Sequence, residues 1–345
     1  MSLTLAQLGW DASRDAEFSP LAASCVAGRV SRVDRGAVDV LTVDNPLRIT
    51  PSGADEPLAV GDWLALAVDD RHWYVDTVLT RRTTIRRATA GGQSQAQVLA
   101  ANVDVVLVVV PAVPEPRLGM TERLVALAWD SGATPVVVMT KADLTPDPDG
   151  IVDDLRASAP GVDVVAVTAS RTDGYDALIP HLRPGASYCL LGRSGAGKST
   201  LANAMAGQDL FATADIRVDG KGRHTTTFRE LVVLPSGAIL LDTPGLRGVG
   251  VWLDGDGLDR AFSDVEELAA QCRFSDCGHD TEPGCAVLGA IDDGSLDERR
   301  LLSWRKLERE ARWIARRHDA RLRAEEAKRW KSLSVQMRRS GRARP

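Results

Sequence analysis

Ser187-Tyr-Cys-Leu-Leu-Gly-Arg-Ser-Gly-Ala-Gly-Lys-Ser-Thr200 reads as a buried strand, a glycine-rich loop and the start of a helix. Within it, Gly192 to Ser199 matches G-x-x-x-x-G-K-[ST] in full. The apolar residues 187–191 come before it and a helical pattern over 199–206 follows, which is the context this phosphate-binding motif requires. Gly192, Arg193, Ser194, Gly195, Ala196, Gly197, Lys198, Ser199 and Thr200 are therefore the expected phosphate contacts. Glycines let backbone N–H groups wrap an anion, and the following helix adds its N-terminal dipole. Lys198 would reach the β- and γ-phosphates, and Ser199 would ligate Mg²⁺.

Upstream, Thr140-Lys-Ala-Asp143 follows the apolar residues 134–139 and resembles the guanine-specificity element [N/T]-K-x-D. A carboxylate at Asp143 accepts from guanine N1–H and N2–H₂, whereas adenine would leave it unpaired. Thr168-Ala-Ser170, after residues 162–167, suits the backbone element at the guanine O6. Singly, TKAD and TAS also fit ordinary strand-to-helix turns. Jointly, each at a strand's carboxyl end, they predict a GTP site formed with Thr140, Lys141, Ala142, Asp143, Thr168, Ala169 and Ser170. Downstream, Asp242-Thr-Pro-Gly245 would hold Mg²⁺ through water at Asp242 and sense the γ-phosphate at the Gly245 N–H.

The order of these parts is unusual. Ordinary small GTPases place the phosphate loop first and base recognition last. Here TKAD and TAS precede the loop, and a Thr-rich segment and DTPG follow it, so the domain is circularly permuted. The segment after DTPG runs straight into the C-terminal region, which predicts that γ-phosphate status pulls on that region. Gly220-Lys-Gly-Arg-His-Thr-Thr-Thr227 suits an ordering switch, with Thr226 completing the Mg²⁺ shell. Leu246 stands where many GTPases carry a water-orienting Gln, and an aliphatic chain cannot orient water. Either His224 or a group on the activating partner must supply that catalytic function.

Short strand-like runs at 26–30, 38–43, 63–68 and 73–75, separated by Asp34-Arg-Gly36, Asn45-Pro46 and Val60-Gly-Asp62, predict a small OB-like β-barrel over residues 23–90. Its Arg-rich rims fit RNA, although many small barrels are only spacers. Residues 1–22 lack periodicity and read as a leader, possibly disordered. After Gly91-Gly92, alternating strands and helices predict the permuted G domain over 91–250, with 103–110 as a central buried strand. Residues 251–345 then form a helical zinc domain. In it Cys272, Cys277, His279 and Cys285 offer four zinc ligands within fourteen residues, a closed set that suits one structural ion. The expected fold is multidomain α/β: barrel, permuted P-loop GTPase domain, and zinc-binding helices.

Composition narrows the class further. The 345 residues are 44% hydrophobic and 26% charged, too apolar for a disordered chain. The five Cys are too few for a disulfide scaffold, no apolar run is long enough to span a membrane, and no secretory signal is evident. A cytoplasmic monomer without membrane contact is expected. From Glu298 onward there are 17 Lys and Arg against 6 Asp and Glu, while the preceding residues carry 25 against 41. That basic end reads equally as a solvated Arg-rich helix face or as a polyanion contact.

With the permuted order, Arg223-His-Thr-Thr-Thr227, Leu246 and the Cys/His knot in view, the chain resembles the RsgA/YjeQ family of small-ribosomal-subunit biogenesis GTPases. Leu99-Ala-Ala-Asn-Val-Asp104 and Glu282-Pro-Gly-Cys285 add to the likeness. The resemblance implies an OB-fold, a permuted G domain and a zinc domain. It also implies binding to the 30S subunit and its 16S rRNA late in assembly, with GTP hydrolysis to GDP stimulated there. Thr140 departs from the commoner Asn of the base motif. Two rivals remain: a zinc-stabilised RNA-binding protein with a structural nucleotide site, and a P-loop enzyme acting on a small molecule.

Overall fold

Asp11 starts the first helix: its carboxylate accepts from the N–H groups of Ser13 and Arg14 at the head of α1 (Ala12–Phe18). The computed structural model describes residues 3–51, 56–70, 72–88, 96–168, 174–210, 230–242 and 256–318. Residues 3–22, expected to be loose, are docked instead. Arg14 is 1% exposed and donates to the Thr80 carbonyl at 2.8 Å and to Asn102 Oδ1 at 2.6 Å. Arg82 pairs with Asp11, and Trp10 packs edge-on against Trp63 with centroids 4.8 Å apart. The sequence conceals this because the anchors are single polar side chains rather than a periodic pattern.

The barrel strands are β1 (Val26–Asp34), β2 (Ala37–Leu41), β3 (Leu47–Ile49), β4 (Trp63–Asp69) and β5 (His72–Val78), in the order β3-β2-β1-β4-β5. Alternating side chains Val38, Val40, Leu64 and Leu66 turn inward with Val30, Ile49 and Val75 to form its core. Among the described residues β3 and β5 share no ladder, so the barrel is partly open, as OB-folds are. A hairpin of β6 (Thr84–Ala88) and β7 (Ala96–Ala101) follows. The expected boundary at Gly91-Gly92 lies outside the described residues.

The α/β layer contains β8 (Val105–Pro111), α2 (Leu118–Asp130), β9 (Thr134–Thr140), α3 (Pro148–Ser158), β10 (Asp163–Ala166), β11 (Ser187–Leu191), α4 (Lys198–Ala206), β12 (Glu230–Val233) and β13 (Ile239–Asp242). Its strand order is β10-β9-β8-β11-β13-β12, parallel except for β12. The chain steps outward from β8 to β10, then returns to the other side of β8 with β11. Strand order therefore reverses at β8/β11, the crevice where open α/β sheets bind ligands. One face is covered by α2, the other by Leu201, Ala202 and Met205 of α4.

The sheet does not end at β12. Glu230 pairs antiparallel with Arg32 of β1, so barrel and α/β layer share one eleven-stranded sheet. Arg29 of β1, 1% exposed, fastens the junction by donating to Ser187 Oγ of β11 at 2.8 Å, the Asn102 carbonyl at 3.1 Å and the Leu8 carbonyl. Burial pushes its pKa down to about 10, so it remains charged near neutrality.

Beyond the sheet lie α5 (Asp256–Ala261), α6 (Ser263–Ala269), α7 (Ala286–Asp292) and α8 (Glu298–His318). The helical run breaks between α5 and α6 at Phe262, which turns fully into the core and lies under the Arg300 guanidinium at 4.2 Å. Arg300 is 2% exposed and saturates its donors. It reaches Asp264 at 2.8 and 2.9 Å, the Ala261 carbonyl at 2.6 Å, the Ser158 carbonyl at 2.9 Å and Glu122 at 3.1 Å. Glu122, fully buried on α2, also accepts from Arg299 and Ser303 of α8. No helix among the described residues is long and apolar enough to cross a membrane.

Candidate functional site

The phosphate loop leaves β11 and enters α4 at the reversal crevice. Gly192 sits so close to β8 that a Cβ there would lie 2.4 Å from the Val109 carbonyl, which only glycine tolerates. Gly197, at φ +88, occupies the left-handed region at the head of α4. Arg193, Ser194 and Gly195 are exposed; Lys198, Ser199 and Thr200 are half-buried in the first turn of α4. Lys198 Nζ donates to the carbonyls of Gly192 at 2.7 Å and Arg193 at 2.6 Å, which holds its ammonium over the loop. A pocket beside the loop is lined by Val109, Pro111, Arg117, Met120 and Arg193.

The base-recognition turn is bonded to this loop. Buried Thr140 Oγ1, at the end of β9, donates to the Ala196 carbonyl at 2.7 Å. Lys141, held at φ 59, sends Nζ to the Gly195 carbonyl at 3.0 Å. In a trans peptide the C=O and the next N–H point oppositely. Turning the Ala196 carbonyl toward Thr140 therefore aims the Gly197 N–H away from β9, into the loop. Ala142 and Asp143 follow in a 3₁₀ turn, with Asp143 exposed. The exits of β9 and β10 are cross-bonded, Val167 N–H to the Met139 carbonyl at 2.7 Å and Ala142 N–H to the Val167 carbonyl at 3.4 Å. Thr168 lies beside them, its N–H on the Gly174 carbonyl at 2.6 Å.

The structure thus brings together Thr140, Lys141, Ala142, Asp143, Thr168 and residues 192–200. Asp242 closes β13, with its backbone at the same sheet edge. Ala169, Ser170, His224, Thr226, Gly245 and Leu246 lie outside the described residues. The tether from Thr140 to the loop lies outside the sequence-based expectations. Its signal was the hydroxyl residue at the position where the motif commonly has Asn.

A second cluster stands between α6 and α7. The ligand atoms of Cys272, Cys277, His279 and Cys285 all lie within 4.8 Å of one another. Cys272 Sγ is 3.6 Å from His279 Nδ1 and 3.8 Å from Cys285 Sγ, and His279 Nδ1 is 3.4 Å from Cys285 Sγ. A tetrahedral zinc with ordinary bond lengths sets its ligand atoms about 3.5–3.8 Å apart, so the cluster fits such an ion. The carboxylate of Glu282 accepts from the N–H groups of Gly278, Asp280 and Thr281, and its own backbone N–H together with these bonds holds its pKa down to about 2. Arg305 of α8 donates to the Gly278 and His279 carbonyls at 3.0 and 2.7 Å, which steadies the loop from outside.

A family model described as RsgA GTPase matches residues 78–252. The small ribosomal subunit biogenesis GTPase RsgA of Streptomyces avermitilis is 51% identical over 95% of this chain and 91% of its own length. That of Streptomyces coelicolor is 50% identical over 95% and 92%. YjeQ from Thermotoga maritima superposes with a TM-score of 0.60 at 25% identity, covering 83% of this chain and 98% of that one. YloQ, a circularly permuted GTPase, has the same fold at a TM-score of 0.59 and 23% identity, covering 84% and 95%.

Proposed function

The chain belongs to the RsgA GTPase family, and from that premise we propose that it hydrolyses GTP on the small ribosomal subunit and assists late maturation of that subunit. The nucleotide state governs its grip on 16S rRNA and its release. Asp143 selects guanine through two hydrogen bonds, and Thr168, Ala169 and Ser170 close around O6. Residues 192–200 cradle the phosphates, with Lys198 over the β/γ bridge and the Gly245 N–H on the γ-phosphate.

Ser199, Thr226 and Asp242 hold Mg²⁺, which when bound neutralises the charge developing between the phosphates. His224 positions the attacking water, since Leu246 has no polar atom to do so. Cys272, Cys277, His279 and Cys285 hold one structural zinc ion; four protein ligands leave no open position for catalysis. The working units are residues 23–90, 91–250 and 251–345, with residues 3–22 of the leader 1–22 docked on the first two. The protein acts as a monomer in the cytoplasm and binds GTP and GDP.

The supporting observation is that Thr140 and Lys141 grip two successive carbonyls of the phosphate loop, so base and phosphates are read by one bonded unit. The decisive measurement is GTP turnover with and without purified 30S subunits. Stimulation of about tenfold or more is expected. An unchanged rate sinks the ribosomal part and leaves an RNA-binding protein with a structural nucleotide site.

A further inference from the structure

The exits of the two expected switch segments lie side by side in one hairpin. Glu230 opens β12 directly after the Thr-rich segment, and Asp242 closes β13 directly before Thr243-Pro-Gly245. These two residues are cross-strand partners. The neighbour of Glu230 on its other side is Arg32 of β1. A barrel residue therefore stands one strand from the first exit and two strands from the second. The β1–β12 register falls at the switch-proximal end of β12, beside the irregularity in β1 between Val30 and Arg32.

The C-terminal helices are fastened elsewhere. Arg300 and Arg299 converge on Glu122 of α2, and Arg300 also takes the Ser158 carbonyl at the end of α3. Arg260 of α5 stacks 3.7 Å over Trp129 of α2. A Cβ on Gly257 would lie 2.3 Å from the Ala126 carbonyl, so α5 and α2 meet backbone to backbone. Arg123 of α2 pairs with Glu310 of α8. All these partners sit on α2 and α3, the helices of the base-recognition half, β8 to β10.

We infer that the nucleotide state is transmitted to the N-terminal barrel through the β13–β12–β1 ladder, while the C-terminal helices ride as a fixed platform on the base-recognition half. This rests on the GTPase reading above and specifies its regulation. It reverses the sequence-based expectation that the switch pulls on the C-terminal region. A pull along residues 243–255 acts against a buried ion-pair clamp in which every Arg300 donor is engaged, whereas a displacement of β12 acts directly on a strand hydrogen-bonded beside it. Hydrolysis then alters the spacing between barrel and C-terminal helices, loosening β1 and β2 while the C-terminal helices stay internally unchanged.

Hydrogen exchange of the full chain, read by mass spectrometry with GDP and with a non-hydrolysable GTP analogue and without ribosomes, tests this. Amides of residues 26–41 should exchange roughly tenfold more slowly with the triphosphate analogue, and those of 298–312 should change by less than about twofold. A nucleotide response at 298–312 equal to or larger than that at 26–41 overturns the inference. So does an absent response at 26–41. In a Glu122→Ala chain, residues 298–312 should exchange faster in both states while the barrel response persists; unaltered exchange there shows that the clamp does not hold α8, and the inference falls. No ribosomal subunit is present, so the result stands apart from whether 30S subunits stimulate turnover.

Discussion

At the level of single residues, the phosphate loop is held from behind by a hydroxyl and an ammonium. Thr140→Ala removes the donor to the Ala196 carbonyl, a loss of about 1–1.5 kcal/mol, and should weaken GTP and GDP alike by roughly tenfold in a fluorescent-nucleotide titration. Thr140→Ser keeps the donor and should bind as the parent does. Asp143→Asn exchanges an acceptor for an amide that can donate, so affinity should shift from GTP toward xanthosine triphosphate; retained GTP preference would remove Asp143 from base recognition. His224→Ala should lower turnover on 30S subunits by about 10²-fold without altering GDP affinity. The loop and TKAD were legible in the sequence because both require fixed residue types at fixed spacing. The tether was not, because nothing in a linear chain says that the end of β9 will touch residues 195 and 196.

Among the elements, the zinc-side helices and α1 show what pattern reading can and cannot reach. The bounds of α2 and β11 follow the apolar periodicity closely, since both bury a regular face. The break at Phe262 and the docking of α1 escaped, because each depends on a buried arginine whose partners are distant in sequence. Asp11 caps α1 and pairs with Arg82, so Asp11→Ala should cost the docked segment about 1 kcal/mol, read as faster exchange of residues 12–18. The Arg82 bond holds the Asp11 carboxyl well below its ordinary value of 3.8. A depressed folded pKa means that the contribution is present above about pH 4 and fades as the pH falls below it. Protection of residues 12–18, corrected for the intrinsic pH dependence of amide exchange, should accordingly fall on acidification in the parent and fall less in Asp11→Ala. Stripping the metal with a strong chelator should loosen the segment between α6 and α7, seen as faster exchange of residues 270–285, because four ligand atoms packed within 4.8 Å of one another lose the ion that would join them.

For the whole molecule, the shared sheet makes barrel and α/β layer one cooperative body. Arg29→Leu removes the donor to Ser187 Oγ and to the Leu8 and Asn102 carbonyls, so it should split a single thermal transition into two, with the barrel melting first. The basic C-terminal end must be probed beyond α8, since α8 carries Arg300. Residues 319–345 hold nine Lys and Arg against three Asp and Glu, and their removal should reduce the salt dependence of 30S binding if that stretch meets phosphates.

The bond between Arg29 and Ser187 spans 158 residues of chain, which also sets a schedule. Translation at 5–20 residues per second makes Ser187 about 8–30 s after Arg29. The Glu230 partner of β1 follows later still. Through that interval the guanidinium has the Leu8, Gly61 and Asn102 carbonyls but not the Ser187 hydroxyl, and the Arg32 end of β1 still lacks its β12 partner. A protein of a family that serves ribosome maturation thus emerges from its own ribosome with the end of its first strand waiting for its twelfth, a window in which chaperone capture competes with mispairing.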